Sequence, residues 1–192
     1  RTSAAPCHDA AGVMQMAPAN QPRFDHDPVT RAPLGLLIEG AATNLLLHSQ
    51  DFPQTSWVKS NVGVVGGQAA PDGSATAAKV TPDTASSLHR ISQGWTPTAG
   101  QKYTQSVWLK SAGVRWVCVN MDANAGARLT VDLQTGAFVT GGAAPENASV
   151  VAYPNGWYRV AVTGTGTGAT GNDTWFQANT AMTVADTVFA GN

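Results

Sequence analysis

From Trp57 onward the apolar positions of the chain recur with a period of two, the repeat that sends alternate side chains to opposite faces of a β-strand. In QKYTQSVWLK, Tyr103, Val107 and Leu109 share one face, and Thr104, Ser106, Trp108 and Lys110 share the other. RWVCVNMD places Val117, Val119 and Met121 inward, opposite Trp116, Cys118, Asn120 and Asp122. ARLTVDLQTG sets Leu129, Val131 and Leu133 against Thr130 and Asp132, and WYRVAVT sets Tyr158, Val160 and Val162 against Trp157, Arg159 and Ala161. The phrases APDGSAT, QTG and PNG read as turns between these strands, and GTGTGATGND as a flexible loop before the strand TWFQA. Short strands with turn signals at this spacing predict an all-β protein, best fitted by a two-sheet antiparallel β-sandwich of jelly-roll type.

Residues 1–50 follow another rule. Pro6, Pro18, Pro22, Pro28 and Pro33 interrupt any long element and hold the local chain extended, and DHDPVTRAP is a turn. LGLLIEGAATNLLL then carries apolar residues on several faces and requires a protein surface to cover it. The predicted organisation is an extended, Pro-rich attachment and packing arm over 1–50, and a sandwich over 51–192. An opening without Met and an ending in DTVFAGN imply a piece of a longer chain.

Composition narrows the partners. A formal net charge of −1 and a charged fraction of 12% argue against a phosphate-neutralising surface, so no nucleic acid is expected. Low charge, 20 Gly, 11 Pro and only Glu39 and Glu146 as glutamates suit strands and turns better than exposed helices. No run approaches the roughly twenty apolar residues that span a bilayer, so no membrane insertion is expected. Cys7 and Cys118 lack CxxC spacing; Cys118 reads as a small core residue, and a disulfide between the two stays open.

Enzyme signatures such as GxSxG, HExxH and the P-loop are missing, and the two glutamates form no acid–base pair for glycoside hydrolysis. Six Trp remain the richest source of chemistry, because an indole face stacks on sugar rings while its N–H donates a hydrogen bond. Trp108 and Trp157 read as packing residues. Trp57, Trp95 and Trp116 border polar or turn-rich stretches and are the candidate carbohydrate-binding aromatics. Asn120 and Asp122 share a strand face with Trp116, and Arg115 and Arg128 flank it as potential bidentate clamps for a carboxylate. No cofactor is expected. The neighbouring groups Cys7, His8, Asp9 and Asp25, His26, Asp27 read as turn residues before they read as cation ligands, and no spacing demands a structural calcium at Asp122, Asn124 and Asp173.

The phrase PRFDHDPVTRAPLGLLIEGAATNLLLHSQDF, followed by TSWVKSNVGVV, HRISQ, TAGQKYTQSVWLKS, VDLQTG and NGWYRVAVT, resembles the fibre and spike proteins of tailed bacteriophages and related gene-transfer-agent-like particles. The resemblance implies a jelly roll like that of carbohydrate-binding modules, a non-enzymatic virion component and a homotrimer contacting other virion proteins. It also implies host attachment through bacterial surface glycan, and a location on the virion, extracellular after release. A carbohydrate-binding module of a secreted polysaccharide-degrading enzyme and a capsule depolymerase are the alternatives.

Overall fold

The computed structural model describes residues 5–38, 40, 42–122, 126–143 and 145–191. Within the first fifty residues lie β1 (Ala5–His8), β2 (Met14–Ala17), β3 (Phe24–His26) and β4 (Pro33–Leu36). There follow β5 (Val58–Ser60), β6 (Val62–Gln68), β7 (Ala77–Pro82), β8 (Ser86–Ser87), β9 (Arg90–Trp95) and β10 (Lys102–Lys110). The remainder are β11 (Trp116–Met121), β12 (Ala127–Asp132), β13 (Phe138–Gly141), β14 (Asn147–Tyr153), β15 (Trp157–Thr165), β16 (Gly171–Asn179) and β17 (Phe189–Ala190).

The chain is all-β, and every strand pair is antiparallel. One layer is a six-stranded sheet in the order β13-β12-β11-β16-β9-β5. The other contains the sheet β10-β15-β14 and the hairpin β6-β7. The chain crosses between the layers at β5–β6, β9–β10, β10–β11, β13–β14 and β15–β16, so each layer is built from segments distant in sequence.

The period-two alternation explains where the core sits. Val117, Val119, Met121, Leu129 and Val131 from the six-stranded sheet meet Leu109, Val160 and Val162 from the facing sheet. Each side chain of this size taken out of water contributes roughly 1.5–3 kcal/mol. A second cluster joins Trp57, Ile91 and Trp175 to Val62, Val64 and Val80 of the β6–β7 hairpin. The register of β16 against β9 shifts between Thr174 and Phe176, which lets the consecutive Trp175 and Phe176 both enter the interior. The glycine–threonine run is more ordered than its composition predicts: β15 continues to Thr165 and β16 begins at Gly171.

Residues 5–38 pair locally as two hairpins, β1–β2 and β3–β4. The turn over DHDPVTRAP forms as expected, with Asp27 Oδ1 accepting from the amides of Val29 and Thr30. Asp25 joins the hairpins, and the His8 ring lies 5.2 Å from that of Tyr153 in β14, which in turn takes the edge of Trp108 at 4.5 Å. Trp108 is therefore a half-buried outer-face residue that helps seat the hairpin unit. Leu46 and Phe52 already pack against the Trp57 cluster. Cys7 and Cys118 are both free thiols, which answers the disulfide question in the negative.

Candidate functional site

The strands gather Trp116, Asn120, Asp122, Arg115 and Arg128 at the outer side of β11 and β12. The structure also gives most of them internal partners. Arg115 donates from Nε to both oxygens of Asp132, at 3.1 Å each, and from Nη2 to Oδ2 at 2.7 Å. Its guanidinium also lies 4.7 Å from the centroid of the Trp116 ring. This cation-over-ring contact occupies an indole face that a sugar would need. The Arg115 guanidinium holds the Asp132 carboxyl down to about 2, against the opposing effect of its burial.

Arg128 donates from Nη1 to the carbonyl of Val184 at 3.0 Å and to Asp186 Oδ1 at 2.8 Å. Arg115 holds both oxygens of a carboxylate and Arg128 one, and both carboxylates belong to this chain.

The reason lies in residues 180–188, which cross the outer face of the six-stranded sheet. Thr130 and Asn179 donate to the carbonyl of Thr183, and Gln177 donates to Asp186. A side chain on Gly141 would run into Val184. Under this strap the outer face of the sheet is buried: Cys118, Thr130 and Gln177 are all close to fully enclosed. Asn120 is 5% exposed and donates to Asp122 Oδ1 at 2.6 Å, whereas Asp122 is exposed. Burial pushes the Cys118 thiol up, consistent with an unreactive packing residue.

Trp57 requires the largest correction. It is 2% exposed, forms the second core cluster with Ile91 and Trp175, and donates from Nε1 to the carbonyl of His48 at 3.0 Å. Its setting in TSWVKS looked like a polar border because the apolar partners that enclose it, Ile91 and Trp175, come from distant strands. Neither face of its ring is free for a sugar. Trp95 is half-buried; its Nε1 donates to Asp173 Oδ2 at 2.7 Å and its ring meets Tyr103 edge-on at 4.7 Å. Trp95 and Trp116 both remain half-buried, each beside a polar partner, whereas Trp57 is enclosed.

The groups weighed as cation ligands are drawn together but serve the fold. Asp25 Oδ1 accepts from the His8 amide at 2.6 Å and lies 3.1 Å from His8 Nδ1, and His26 Nδ1 contacts the carbonyl of His8. Asp9 accepts from the amides of Ala11 and Val13, which hold its carboxyl below the usual range. Among the described residues no group of three or more His, Cys, Asp or Glu is placed to hold a metal ion. Asn124, weighed with Asp122 and Asp173 for calcium, lies outside the described residues.

No protein-family model and no curated protein sequence matches the chain. The likeness to fibre and spike proteins therefore rests on the residues that carry it.

Proposed function

We propose that the protein is a non-enzymatic structural component of a virion surface, a fibre, spike or decoration domain. In this reading the amino-terminal hairpin unit attaches to sister subunits and neighbouring virion proteins, and the sandwich is presented outward to bacterial surface glycan. The observation that carries the proposal is an uncovered apolar stretch on β3–β4. Phe24 stands directly opposite Leu36 in the hairpin register, Leu34 is the extra residue at the bulge that skips from Gly35 to Pro33, and Ile38 follows just beyond the strand. These four side chains are 63%, 51%, 63% and 82% exposed. Such a concentration of exposed apolar surface is a mark of an interaction site in a folded protein. A homotrimer, implied by the fibre resemblance, would cover it.

Sedimentation velocity on the whole chain tests this. The expected result is a stable assembly that the double substitution Phe24→Asp and Leu36→Asp converts to folded monomers. A wild-type chain that stays monomeric and carries no affinity for virion proteins would sink the proposal. A stable monomer that binds oligosaccharide would instead favour the module of a polysaccharide-degrading enzyme.

A further inference from the structure

A cleft of about 570 Å³ opens between residues 46–53 and the β6–β7 hairpin, away from the strap-covered sheet face. We propose that this cleft is a binding site for a neutral saccharide unit. The inference rests on the carbohydrate-binding part of the reading above and places it at residues other than the tryptophans.

The cleft is held open by specific backbone features. His48 has a left-handed conformation with φ 51, a costly choice for a residue with a side chain. Its carbonyl is fixed by two donors, Trp57 Nε1 at 3.0 Å and the Asp51 amide at 2.9 Å. Buried Trp57 thus acts beneath the site as a positioning residue. On the opposite wall the β6–β7 register shifts between Val65 and Gln68, a bulge carried by Gly66 and Gly67. Gly67, at φ 75, has open space where a side chain would stand, and a side chain on Gly66 would crowd the Pro53 ring across the cleft.

The chemistry on offer matches hydroxyl groups. His48 and Gln50 are exposed on one side and Thr76 on the other. Asp51 uses Oδ2 to accept from Gln54 at 2.7 Å, leaving Oδ1 to accept from a ligand hydroxyl. Leu46 and Pro53 supply apolar surface for the C–H face of a sugar ring. Among the described residues lining the cleft there is no Lys or Arg, and the Asp51 carboxylate repels anions. A neutral glycan fits this balance, and a phosphorylated or uronic-acid ligand does not.

The test is calorimetric titration of the full chain with neutral tetrasaccharides of glucose and of N-acetylglucosamine, alongside oligogalacturonate. Neutral ligands should bind, Thr76→Trp should abolish binding by filling the cleft, and Gln50→Ala should weaken it about tenfold, the equivalent of one hydrogen bond. Both positions are exposed, so melting temperatures should stay at the wild-type value and separate blocked binding from lost folding. Neutral glycan binding that ignores both substitutions would overturn the cleft and leave carbohydrate recognition standing elsewhere. Binding of oligogalacturonate alone would overturn the neutral-ligand assignment, and no binding by any of these glycans would remove the carbohydrate reading together with the cleft.

Discussion

Arg128 and Asp186 are 58 residues apart in the chain and 2.8 Å apart in the fold. The same Asp186 oxygen also accepts from Gln177 Nε2 at 3.1 Å, so one carboxylate ties the strap over residues 180–188 to two strands of the sheet. Both ionic partners retain contact with water, which limits the pair itself to about 1 kcal/mol or less. The larger effect of removing it should be local. In a Cys7→Ser background, Asp186→Ala should raise the reactivity of Cys118, 1% exposed in the native fold, toward an aromatic disulfide reagent at least tenfold, a rise reflecting local opening. Unchanged thiol kinetics would show that the strap does not control access to this face.

Asp132 sets a second expectation, for behaviour in acid. Its folded-state value of about 2 lies below the ordinary value of 3.8, so folding favours the ionised form. The stability this provides is complete above pH 3.8 and is lost as pH falls from there through 2. Carboxyl-carbon NMR should place the Asp132 midpoint near 2 in the wild type and move it up toward the ordinary range in Arg115→Ala, where burial is opposed only by the Gln134 amide and Thr135 hydroxyl. A wild-type midpoint near 4 would refute the assigned pairing.

The tryptophans should separate in a denaturation series. Trp57→Ala removes a core ring that meets Phe52 at 4.7 Å and Trp175 at 6.0 Å, and should cost about 3–5 kcal/mol. Trp57→Phe keeps most of the packing but loses the donor to His48, with a hydrogen-bond contribution of about 1 kcal/mol. Trp116→Ala loses the contact with Arg115 and should cost about 0.5–1 kcal/mol while the protein stays folded. Urea unfolding of the three variants gives this ranking directly. A Trp116 variant as damaged as Trp57→Ala would mean that Trp116 is a core residue.

The strands were legible because burial has a local sequence signature: Val117, Val119 and Met121 alternate with polar residues, and their inward direction follows from the pleat. The same logic misjudged the reverse face. Asn120 reads as a ligand-facing residue and Thr130 as its outward neighbour, because nothing in TAMTVADTV announces that it folds back across β11 and β12, whereas Cys118 is the core residue its apolar run suggests. A strap held by one carboxylate and a few carbonyls has no periodicity to detect. Arg115 illustrates the limit well: its residue type indicated carboxylate clamping, but choosing Asp132 over an external acid required the register that sets Trp116 beside Asp132. The cleft was hidden for a related reason, since His48 and Thr76 become neighbours only through the β6 bulge and the loop held by Trp57.

The last prediction concerns how separately the amino-terminal hairpins fold. Asp25 accepts the His8 amide at 2.6 Å and lies beside its Nδ1 at 3.1 Å, while Arg23 Nη1 reaches the carbonyl of Pro6 at 3.1 Å. These bonds join β3 to β1, and the His8 ring then contacts Tyr153 on the sandwich. Asp25→Ala leaves the enclosed His8 amide without its acceptor, a local penalty of about 1–3 kcal/mol. Asp25→Asn retains an oxygen acceptor and should be milder. Because the sandwich core is built from strands β9–β12, β15 and β16, the alanine variant should open residues 5–17 while amides of Val119 and Val160 keep their protection. Hydrogen exchange read residue by residue decides the matter: equal loss of protection in the hairpins and the core would mean that they unfold as one cooperative unit.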